Sequence, residues 1–397
     1  MSIGTALHER TAPLNRKHNW REWSGYLAAS AYADSARHEY NAIRQQAALI
    51  DVSPLYKYIV SGPDAVRLID RVIVRNATKI QPGQVIYTCW CNEAGKVLDD
   101  GTIARLDDDS FRWTSAEPHL RWIGLNSRGL DVKVQDVSEQ TAAIALQGPL
   151  SRAVLSDLTD ADWSGLGYYR RQSARAGAID LDVSRTGYTG DLGYELWVDA
   201  AQAVALWDRL VEVGRPYGIT AAGMLALDMA RLEAGLILIE VDYTSAKHAL
   251  APEQSYSPFE IGLGRLVNMG KEADFVGRRE LAAEVESGAA PRRLVGLQID
   301  WDGIERLYEA QHLPIHVSPV TWREQVPVYA AGRQVGRATS GTFSPTLKKH
   351  IALASVDAGF EPAGSHVQLE WTVEGHRGRV NAIVAPLPFF DPPRKRA

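Results

Sequence analysis

The sequence predicts an α+β protein in which two related α+β units precede an all-β C-terminal domain. A strand, a Gly-Pro turn and a helix follow one another twice, at residues 56–73 and 141–158. From residue 291 onward nearly every segment has a strand pattern, which is typical of a barrel or sandwich. The length of 397 residues allows two or three domains.

The first unit begins with residues 35–53, which predict an amphipathic helix leading into a strand. Residues 56–73 predict a strand, a Ser-Gly-Pro-Asp turn and a helix. The turn can cap the helix, and the apolar residues of the helix recur at helical spacing. Apolar and polar residues alternate at 83–116, and the turn sequences Asn-Glu-Ala-Gly and Asp-Asp-Asp-Ser interrupt the alternation. This pattern predicts a meander of antiparallel strands.

The second unit repeats the strand, turn and helix and continues into a hairpin-like stretch, SRTGYTGDLGYELWV, at residues 184–198. Two helices are expected next, at residues 199–214 and 220–236. Asp199 can cap the first, and Gly235 can end the second.

A segment of small residues, ESGAAPRR at 286–293, separates this region from the strand patterns that follow. Such composition is typical of a linker between domains. We therefore expect a domain boundary between residues 290 and 291, with domains at 1–290 and 291–397.

The bulk composition indicates an ordinary globular protein. It is 45% hydrophobic and 23% charged, and its net charge of −5 offers no basic field for nucleic acid. Since no apolar run approaches the roughly 18 residues of a membrane span, and the N-terminus lacks a signal-peptide core, we expect a cytoplasmic protein with no membrane partner. The C-terminal RKRA is expected to be a solvated tail.

Common catalytic motifs are missing from the sequence: there is no Walker A loop, no G-x-G-x-x-G, no H-E-x-x-H and no G-x-S-x-G. His312 and His316 are four apart, but Pro314 argues against the helix that a pair of ligands would need, so we expect no metal site. Cys89 and Cys91 lie two apart on a predicted strand, a spacing that favours buried thiols over a disulfide.

Two neighbouring acids, Asp99 and Asp100, precede a predicted strand in GKVLDDGTIARL. Because neighbours on a strand point to opposite faces, one carboxylate can enter a pocket while the other turns to solvent or caps a turn. An inward acid beside a ligand could move a proton. The alternative is an ordinary turn pair.

A third acid, Glu195, lies in a strand of Tyr, Leu, Trp and Val. Burying a carboxylate there costs free energy unless a hydrogen-bond donor contacts it. A flat heterocycle with an amino group and a ring N–H offers two parallel hydrogen-bond donors. Glycines 187, 190 and 193 would let the backbone approach such a ring, and Tyr188 or Tyr194 could stack on it. The alternative is an exposed strand glutamate.

Hydroxyl groups are concentrated in Ser-Gly-Thr-Phe-Ser-Pro, residues 340–345. They could reach an anion or a neighbouring domain, although ordinary turn chemistry also explains them.

Taken together, several segments resemble the tetrahydrofolate-dependent aminomethyltransferase family, the glycine cleavage T-protein and its relatives. They occur in the family's order between about residues 45 and 356 and read as follows: ALIDVS, SGPDA, PGQVIYT, GKVLDDG, ALQGP, SRTGYTGDLGYELWV, RLEAGL, DFVGRREL and RATSGTFSPTLKKHIALASV.

This resemblance implies a three-lobed cloverleaf, with the first 290 residues forming a folate-binding region, a C-terminal β-barrel and a central folate channel. It also implies tetrahydrofolate as the cofactor. By motif, Asp99 corresponds to the family's essential carboxylate, and Glu195 to the acid that holds the pterin, with Tyr188 and Tyr87 as ring neighbours.

The chain departs from the glycine cleavage pattern at several positions. Pro54 stands where the pattern has His, Leu227 where it has Arg, and Arg265 where it has Trp. TSAEPHLRWI, residues 114–123, replaces a Val-Asn-Ala type of segment, and residues 241–262 form a longer segment than usual. These changes suggest a more apolar lining on the substrate side.

We expect that lining to include Trp90, Trp113, Tyr243 and His248, with Tyr243 or His248 as a catalytic proton donor to the leaving group. The resulting hypothesis is a demethylase that moves a methyl group from a small methylated metabolite to tetrahydrofolate, a methoxy-aromatic compound being one candidate. The alternatives are an aminomethyltransferase acting on a lipoyl carrier protein and a folate-binding protein without catalysis.

Overall fold

A computed structural model describes residues 2–288 and 290–397. The α-helices of these residues are α1 (His8–Thr11), α2 (Ala36–Gln45), α3 (Ala65–Val72), α4 (Leu120–Asn126), α5 (Ser151–Leu158), α6 (Ala203–Gly214), α7 (Met224–Glu233), α8 (Arg278–Ser287) and α9 (Trp301–Glu309). The strands are β1 (Trp20–Trp23), β2 (Tyr26–Ala29), β3 (Ala48–Asp51), β4 (Tyr56–Ser61), β5 (Val85–Cys91), β6 (Val97–Arg105), β7 (Ser110–Ser115), β8 (Lys133–Asp136), β9 (Thr141–Gln147), β10 (Arg171–Ala176), β11 (Ile179–Ser184), β12 (Gly193–Asp199), β13 (Thr220–Ala221), β14 (Arg292–Ile299), β15 (Val326–Ala330), β16 (Arg333–Ser344), β17 (Lys349–Asp357), β18 (His366–Val373) and β19 (His376–Ala385).

Two units with the same order of elements form the first part of the molecule. One runs β4-α3-β5-β6-β7-α4-β8 and the other β9-α5-β10-β11-β12-α6-β13. Their sheets have the orders β5-β6-β7-β4-β8 and β10-β11-β12-β9-β3-β13, so the second differs only by the insertion of β3. The repeated sequence pattern therefore corresponds to two related α+β units, as predicted.

The Gly-Pro turns that begin α3 and α5 share an unusual backbone conformation. Gly62 has φ +123° and Gly148 has φ +119°. A Cβ on Gly148 would lie 2.5 Å from the carbonyl oxygen of Gln46, and one on Gly62 would lie 2.8 Å from that of Asp131. Only glycine avoids both the strained φ and the close contact.

The C-terminal strands close into a six-stranded barrel in the order β14-β17-β16-β15-β18-β19. The prediction of a barrel or sandwich is thus resolved as a barrel. Within the predicted linker, α8 extends to Ser287 and β14 begins at Arg292. Residue 289 lies outside the described residues.

Each sheet of the first two units has one face covered by its own helices. In the five-stranded sheet, Tyr58, Ile103 and Trp113 pack in a core with α3. In the six-stranded sheet, Leu146 and Leu196 pack in a core with α5 and α6. The opposite faces, here called the inner faces, are therefore free to meet other parts of the molecule.

The two inner faces contact each other through Arg112 of β7. Its guanidinium lies 4.0 Å from the ring centre of Trp197 on β12, and its Nη1 lies 2.5 Å from Oδ2 of Asp182 on β11. The region beside this contact, between the two inner faces, is here called the central cleft. Next to it, α2 and α7 cover part of the inner face of the six-stranded sheet, at Ala143, Ala145 and Trp197.

The C-terminal residues do not form the solvated tail that the sequence suggested. Nε of Arg394 lies 2.6 Å from Asp191, and Arg396 lies 2.8 Å from Asp391. Arg185 also donates to the carbonyl oxygen of Lys395 at 3.2 Å. This expectation was wrong because a carboxylate in the glycine-rich loop offers the basic tail a buried partner.

Cys89 and Cys91 are free thiols and are buried, as predicted. In the described part of the chain, no helix combines the length and apolarity that crossing a membrane requires.

Candidate active site

The neighbouring acids Asp99 and Asp100 lie on opposite faces of the five-stranded sheet. Asp99 pairs across the strands with Trp90, on the face covered by helices, whereas Asp100 pairs with Cys89 on the inner face. Tyr87 lies two residues before Cys89 on β5, so its side chain points to the same face as Cys89. Since Cys89 pairs with Asp100, Tyr87 and Asp100 share the inner face. The register thus turns Asp100, rather than Asp99, toward the central cleft.

Asp99 is fully buried and surrounded by donors. Its Oδ1 accepts from the Asp100 N–H at 2.7 Å, and its Oδ2 accepts from the Glu117 N–H at 2.9 Å and lies 3.1 Å from Nε2 of His119. Burial raises the pKa of Asp99 to about 8 and lowers the pKa of His119 to about 4. The low dielectric behind the sheet therefore favours an uncharged pair, with the shared proton between carboxyl and imidazole.

Asp100 is held between two phenols. The Tyr87 hydroxyl donates to Oδ2 at 2.7 Å, and the Tyr243 hydroxyl donates to Oδ1. Burial raises the pKa of Asp100 to about 7, although both phenol hydrogen bonds oppose the shift. Burial also raises the pKa values of Tyr87 and Tyr243, so both phenols remain donors. Asp100 can consequently gain or lose a proton near neutral pH.

Glu195 lies on the inner face of β12, opposite Ser184 on one side and Ala145 on the other. The Thr186 hydroxyl donates to Oε2, and within residues 2–288 and 290–397 no protein group donates to Oε1. Burial raises the pKa of Glu195, while the hydrogen bond from Thr186 and the charge of Arg112 oppose this shift. The side chain is only half-buried, so one carboxylate oxygen is available to a ligand.

The glycines of residues 184–198 make room for protein groups instead of a ligand ring. A Cβ on Gly187 or Gly193 would lie 2.1 or 2.3 Å from Oε1 of Gln147, and one on Gly190 would lie 2.3 Å from Cβ of Ala234. Gln147 fills this space and donates to the carbonyl oxygens of Thr186 and Tyr194 at 3.3 and 3.2 Å. The expected close approach to a heterocycle is therefore corrected: the glycines allow Gln147 to fix the loop.

Tyr188 lies beside the cleft, and its hydroxyl is engaged in a hydrogen bond within the protein. The hydroxyl donates to the carbonyl oxygen of Ile237, and the ring packs against a hydrophobic cluster that contains Leu227. Burial raises the pKa of Tyr188, and the negative charge of Asp100 adds to the rise. The ring can therefore offer a flat apolar surface close to Asp100.

His248 lies apart from these groups. Its side chain is 39% exposed, with Nδ1 3.2 Å from Glu240 and Nε2 3.6 Å from Glu117. The expected aromatic lining is also corrected, because Trp90 and Trp113 are fully buried behind the sheet, beside Asp99. Of the four residues proposed for that lining, the structure brings only Tyr243 to Asp100.

Of the two neighbouring acids, the family resemblance selected Asp99, whereas the structure turns Asp100 toward the central cleft. The register of β5 and β6 decides between the two acids, because Asp99 pairs with Trp90 on the face that the helices cover and Asp100 pairs with Cys89 on the inner face. His119 was missed, and no local pattern marks it as a neighbour of Asp99.

The hydroxyl-rich segment lies in β16 as far as Ser344, instead of forming a turn, and with the preceding Thr339 it connects the barrel to the first two units. Thr339 and Ser340 donate to Oδ1 of Asp242 at 2.6 and 2.7 Å, and Ser344 donates to Oε1 of Glu233 at 2.5 Å. Of the two roles considered from sequence, contact with a neighbouring domain is the one observed.

Residues 5–271 match the family described as the GCVT N-terminal domain, and residues 292–391 match the glycine cleavage T-protein C-terminal barrel domain. An aminomethyltransferase from Moorella thermoacetica is 36% identical over 379 residues, which cover 94% of both chains. A trimethylamine-oxide aldolase from Ruegeria pomeroyi is 34% identical over 409 aligned residues, which cover all of this chain but only 48% of that protein.

A solved structure has the same fold. The aminomethyltransferase T of the glycine cleavage system from Bartonella henselae superposes with a TM-score of 0.83 at 23% identity, covering 98% of this chain and 99% of that one. The chain therefore belongs to the glycine cleavage T-protein family, and it is a one-carbon transferase that depends on tetrahydrofolate.

Proposed function

We propose that this enzyme takes a one-carbon group from a small methylated compound, and that the donor is an N-methylated amine. The observation that supports this most directly is Asp100, held by Tyr87 and Tyr243 on the inner face of the cleft. A carboxylate among phenol rings suits a small methylated ammonium ion, which is attracted both to the charge and to the ring faces. A methoxy-aromatic donor has less support, because the two tryptophans expected to stack on it lie behind the sheet.

The residues of the cleft fit tetrahydrofolate. The amino group and ring N–H of a pterin are two adjacent donors, and Glu195 offers a half-buried carboxylate with one oxygen free of protein donors. We assign the holding of the pterin to Glu195, Tyr188 and Tyr87. When bound, tetrahydrofolate supplies the nucleophilic nitrogen that accepts the one-carbon group.

We assign the role of proton acceptor to Asp100. Each carboxylate oxygen accepts one phenol hydrogen bond, which leaves a lone pair on each to take a proton. A pKa of about 7 leaves the group partly ionised at neutral pH, which suits a general base. When a quaternary or protonated donor loses its methyl group, the amine departs neutral and needs no proton. Asp100 would then only have to accept the proton displaced from the nucleophilic nitrogen, so a single base is sufficient.

His248 has no part in this proposal, since it lies outside the cleft. Asp99 acts on Asp100 as a positioning group, because its Oδ1 accepts the Asp100 N–H. The Ruegeria pomeroyi relative gives separate support for the donor class, because its name specifies an N-methylated compound.

A panel experiment tests the proposed donor. The protein is incubated with tetrahydrofolate and, separately, trimethylamine, trimethylamine oxide, dimethylglycine, a methoxybenzoate and a methyl sulfonium compound. The methyl and methylene forms of tetrahydrofolate are then followed by mass. We expect product only with nitrogen compounds. A flat response across the panel would contradict the demethylase proposal, and product from the methoxybenzoate alone would contradict the donor class.

A second candidate is an aminomethyltransferase that acts on a lipoyl carrier protein. It is favoured by aminomethyltransferase relatives such as the one from Streptomyces avermitilis, 37% identical over 365 residues. Leu227 argues against it, because it places an apolar side chain, only 4% exposed, where the family pattern has arginine. Formation of methylenetetrahydrofolate from an aminomethyl-lipoyl carrier would favour this candidate over the first.

A further inference from the structure

The C-terminal residues pack against the glycine-rich loop between β11 and β12. Residues 392–397, here called the strap, include a turn of 3₁₀ helix, Pro393–Lys395. The loop, residues 185–192, contains Thr186, whose hydroxyl donates to Glu195. A group that fixes this loop therefore also fixes the carboxylate that we assign to the pterin.

Arg394 of the strap forms a bidentate ion pair at one end of the loop. Its Nε and Nη2 lie 2.6 and 2.8 Å from the two carboxylate oxygens of Asp191. The Asp191 side chain is fully buried, and it also accepts from the Leu192 N–H at 2.8 Å and from Arg44 at 3.4 Å. Because bidentate, charge-assisted hydrogen bonds are short and directional, Arg394 restrains the position of this end of the loop.

The next residue of the strap is bound at the other end of the loop. Arg185, which directly precedes Thr186, donates to the carbonyl oxygen of Lys395 at 3.2 Å and to that of Leu166 at 2.9 Å. The Arg185 side chain is buried, so water competes little for these hydrogen bonds. Consecutive strap residues therefore hold both ends of the loop, in addition to the contacts that Gln147 makes within it.

Arg44 is a poor substitute for Arg394 at Asp191. Its Nε and Nη2 lie 2.9 and 2.7 Å from Glu233, and its Nη1 donates to the carbonyl oxygen of Thr189 at 2.9 Å. Only the longer contact of 3.4 Å from Nη1 reaches Asp191. Without Arg394, the carboxylate of Asp191 would keep a single long ion pair, and its end of the loop would be less restrained.

A small cavity separates the strap from the middle of the loop. Lys395 lines it together with Tyr168, Thr186, Gly187 and Gly193. Its volume of about 20 Å³ is room for about one water molecule. The loop can consequently shift toward the strap once the strap no longer holds it, and Thr186 would move with the loop.

We propose that Arg394 is a positioning residue for tetrahydrofolate: through Asp191 it keeps the loop in the conformation in which Thr186 orients Glu195. This inference rests on the proposed function, in which Glu195 holds the pterin. Arg394 acts through the loop and makes no contact with the cofactor. Its loss should therefore weaken the binding of tetrahydrofolate only as long as the Thr186 hydroxyl is present to be displaced.

Binding measurements on the full chain test this proposal without turnover. Dissociation constants for tetrahydrofolate are measured by anaerobic calorimetry on the wild type, Arg394→Gln and Arg394→Lys. Loss of the bidentate pair predicts that Arg394→Gln weakens binding about 10-fold. Arg394→Lys should recover part of the affinity, because an ammonium group keeps the charge but not the bidentate geometry.

A double-mutant cycle with Thr186→Val distinguishes positioning from a general loss of stability. If Arg394 acts through Thr186, Arg394→Gln should weaken binding by about twofold or less in the Thr186→Val background. Equal weakening in both backgrounds would overturn the proposal, because the strap would then act without the hydroxyl that orients Glu195. If urea unfolding shows that Arg394→Gln does not fold, Arg394→Lys is taken through the same cycle, with the same non-additivity expected.

Two further variants separate this proposal from the one on which it rests. Arg396→Gln is the matched control: it removes an arginine of the same strap that pairs with Asp391 at 2.8 Å, and it should leave the dissociation constant unchanged. If Glu195→Gln binds tetrahydrofolate as tightly as the wild type, the pterin assignment itself is wrong. If Glu195→Gln weakens binding and Arg394→Gln does not, only the role of the strap is wrong.

Discussion

Asp99 and Asp100 share a peptide bond but titrate in different surroundings. Asp99 faces Trp90 and His119 in a dry core, whereas Asp100 faces two phenols in the cleft. The pKa values of both are raised by burial, but only Asp100 has access to a ligand. Because the two carboxyl groups interact, their titration belongs to the pair.

Single substitutions should separate the two acids. Asp100→Asn is expected to lower kcat about 10²- to 10⁴-fold, the usual contribution of a positioned proton acceptor, with the dissociation constant for tetrahydrofolate largely kept. Asp99→Asn should instead cost about 1–3 kcal/mol of unfolding free energy, because its amide N–H₂ meets backbone donors. Urea denaturation and steady-state kinetics on both variants measure the difference. Equal loss of turnover at equal stability would contradict the division of roles.

The pH dependence provides a second test at this scale. If Asp100 must be ionised, kcat/KM should fall as the pH decreases below about 7. The Tyr243 hydrogen bond favours the carboxylate, so Tyr243→Phe should raise the pKa of Asp100 and move this limb to higher pH. Tyr217→Phe removes a similar bond to Asp157 at the surface and should leave the profile unchanged. If the fall of kcat/KM at low pH occurred at the same pH in Tyr243→Phe as in the wild type, the titrating group would not be Asp100.

At the scale of elements, the glycine-rich loop between β11 and β12 is held by one glutamine. Gln147 of β9 donates to two carbonyl oxygens of the loop and accepts from Thr189 at 2.8 Å. The same loop carries Thr186, whose hydroxyl orients Glu195. Packing of the glutamine therefore fixes the acid that we assign to the pterin.

Gly187→Ala should disrupt this arrangement. The new Cβ would lie 2.1 Å from Oε1 of Gln147, so the amide must move, at a cost of about 1–3 kcal/mol. Affinity for tetrahydrofolate should fall together with stability, because Thr186 moves with the loop. Gly165→Ala is the matched control, since nothing lies within 4 Å of its Cβ. Thermal unfolding measures the stability of both variants, and titration with tetrahydrofolate measures their affinity. If Gly187→Ala behaved like the wild type in both measurements, as the control should, the prediction would be wrong.

At the scale of the whole molecule, buried charges join the barrel to the other units. Asp242 accepts from Thr339 and Ser340 of the barrel and pairs with Arg231 of α7. Glu233 pairs with Arg44 of α2 at 2.7 Å and accepts from Ser344. Removing either acid would leave a buried arginine with one carboxylate fewer, and the hydroxyls of the barrel would lose their acceptor.

Asp242→Ala is accordingly expected to lower the free energy of unfolding by about 3–5 kcal/mol. Asp180→Ala breaks the pair between Arg175 and Asp180, whose side chains are 68% and 81% exposed, and should cost less than about 1 kcal/mol. Equilibrium urea unfolding compares the two. A loss at Asp242 as small as that at Asp180 would show that the barrel is held by its apolar contacts alone.

The sequence by itself determined the family, the two related units and the strand-rich C-terminal domain. These follow from local periodicity, turn residues and ordered motifs, which do not depend on what packs against them. The choice between Asp99 and Asp100 needed the strand register. The roles of the glycines, the basic C-terminus, His248 and the tryptophans needed the packing of one unit on another. Such contacts join residues far apart in the chain, so the tertiary structure alone decided which side chains share the central cleft.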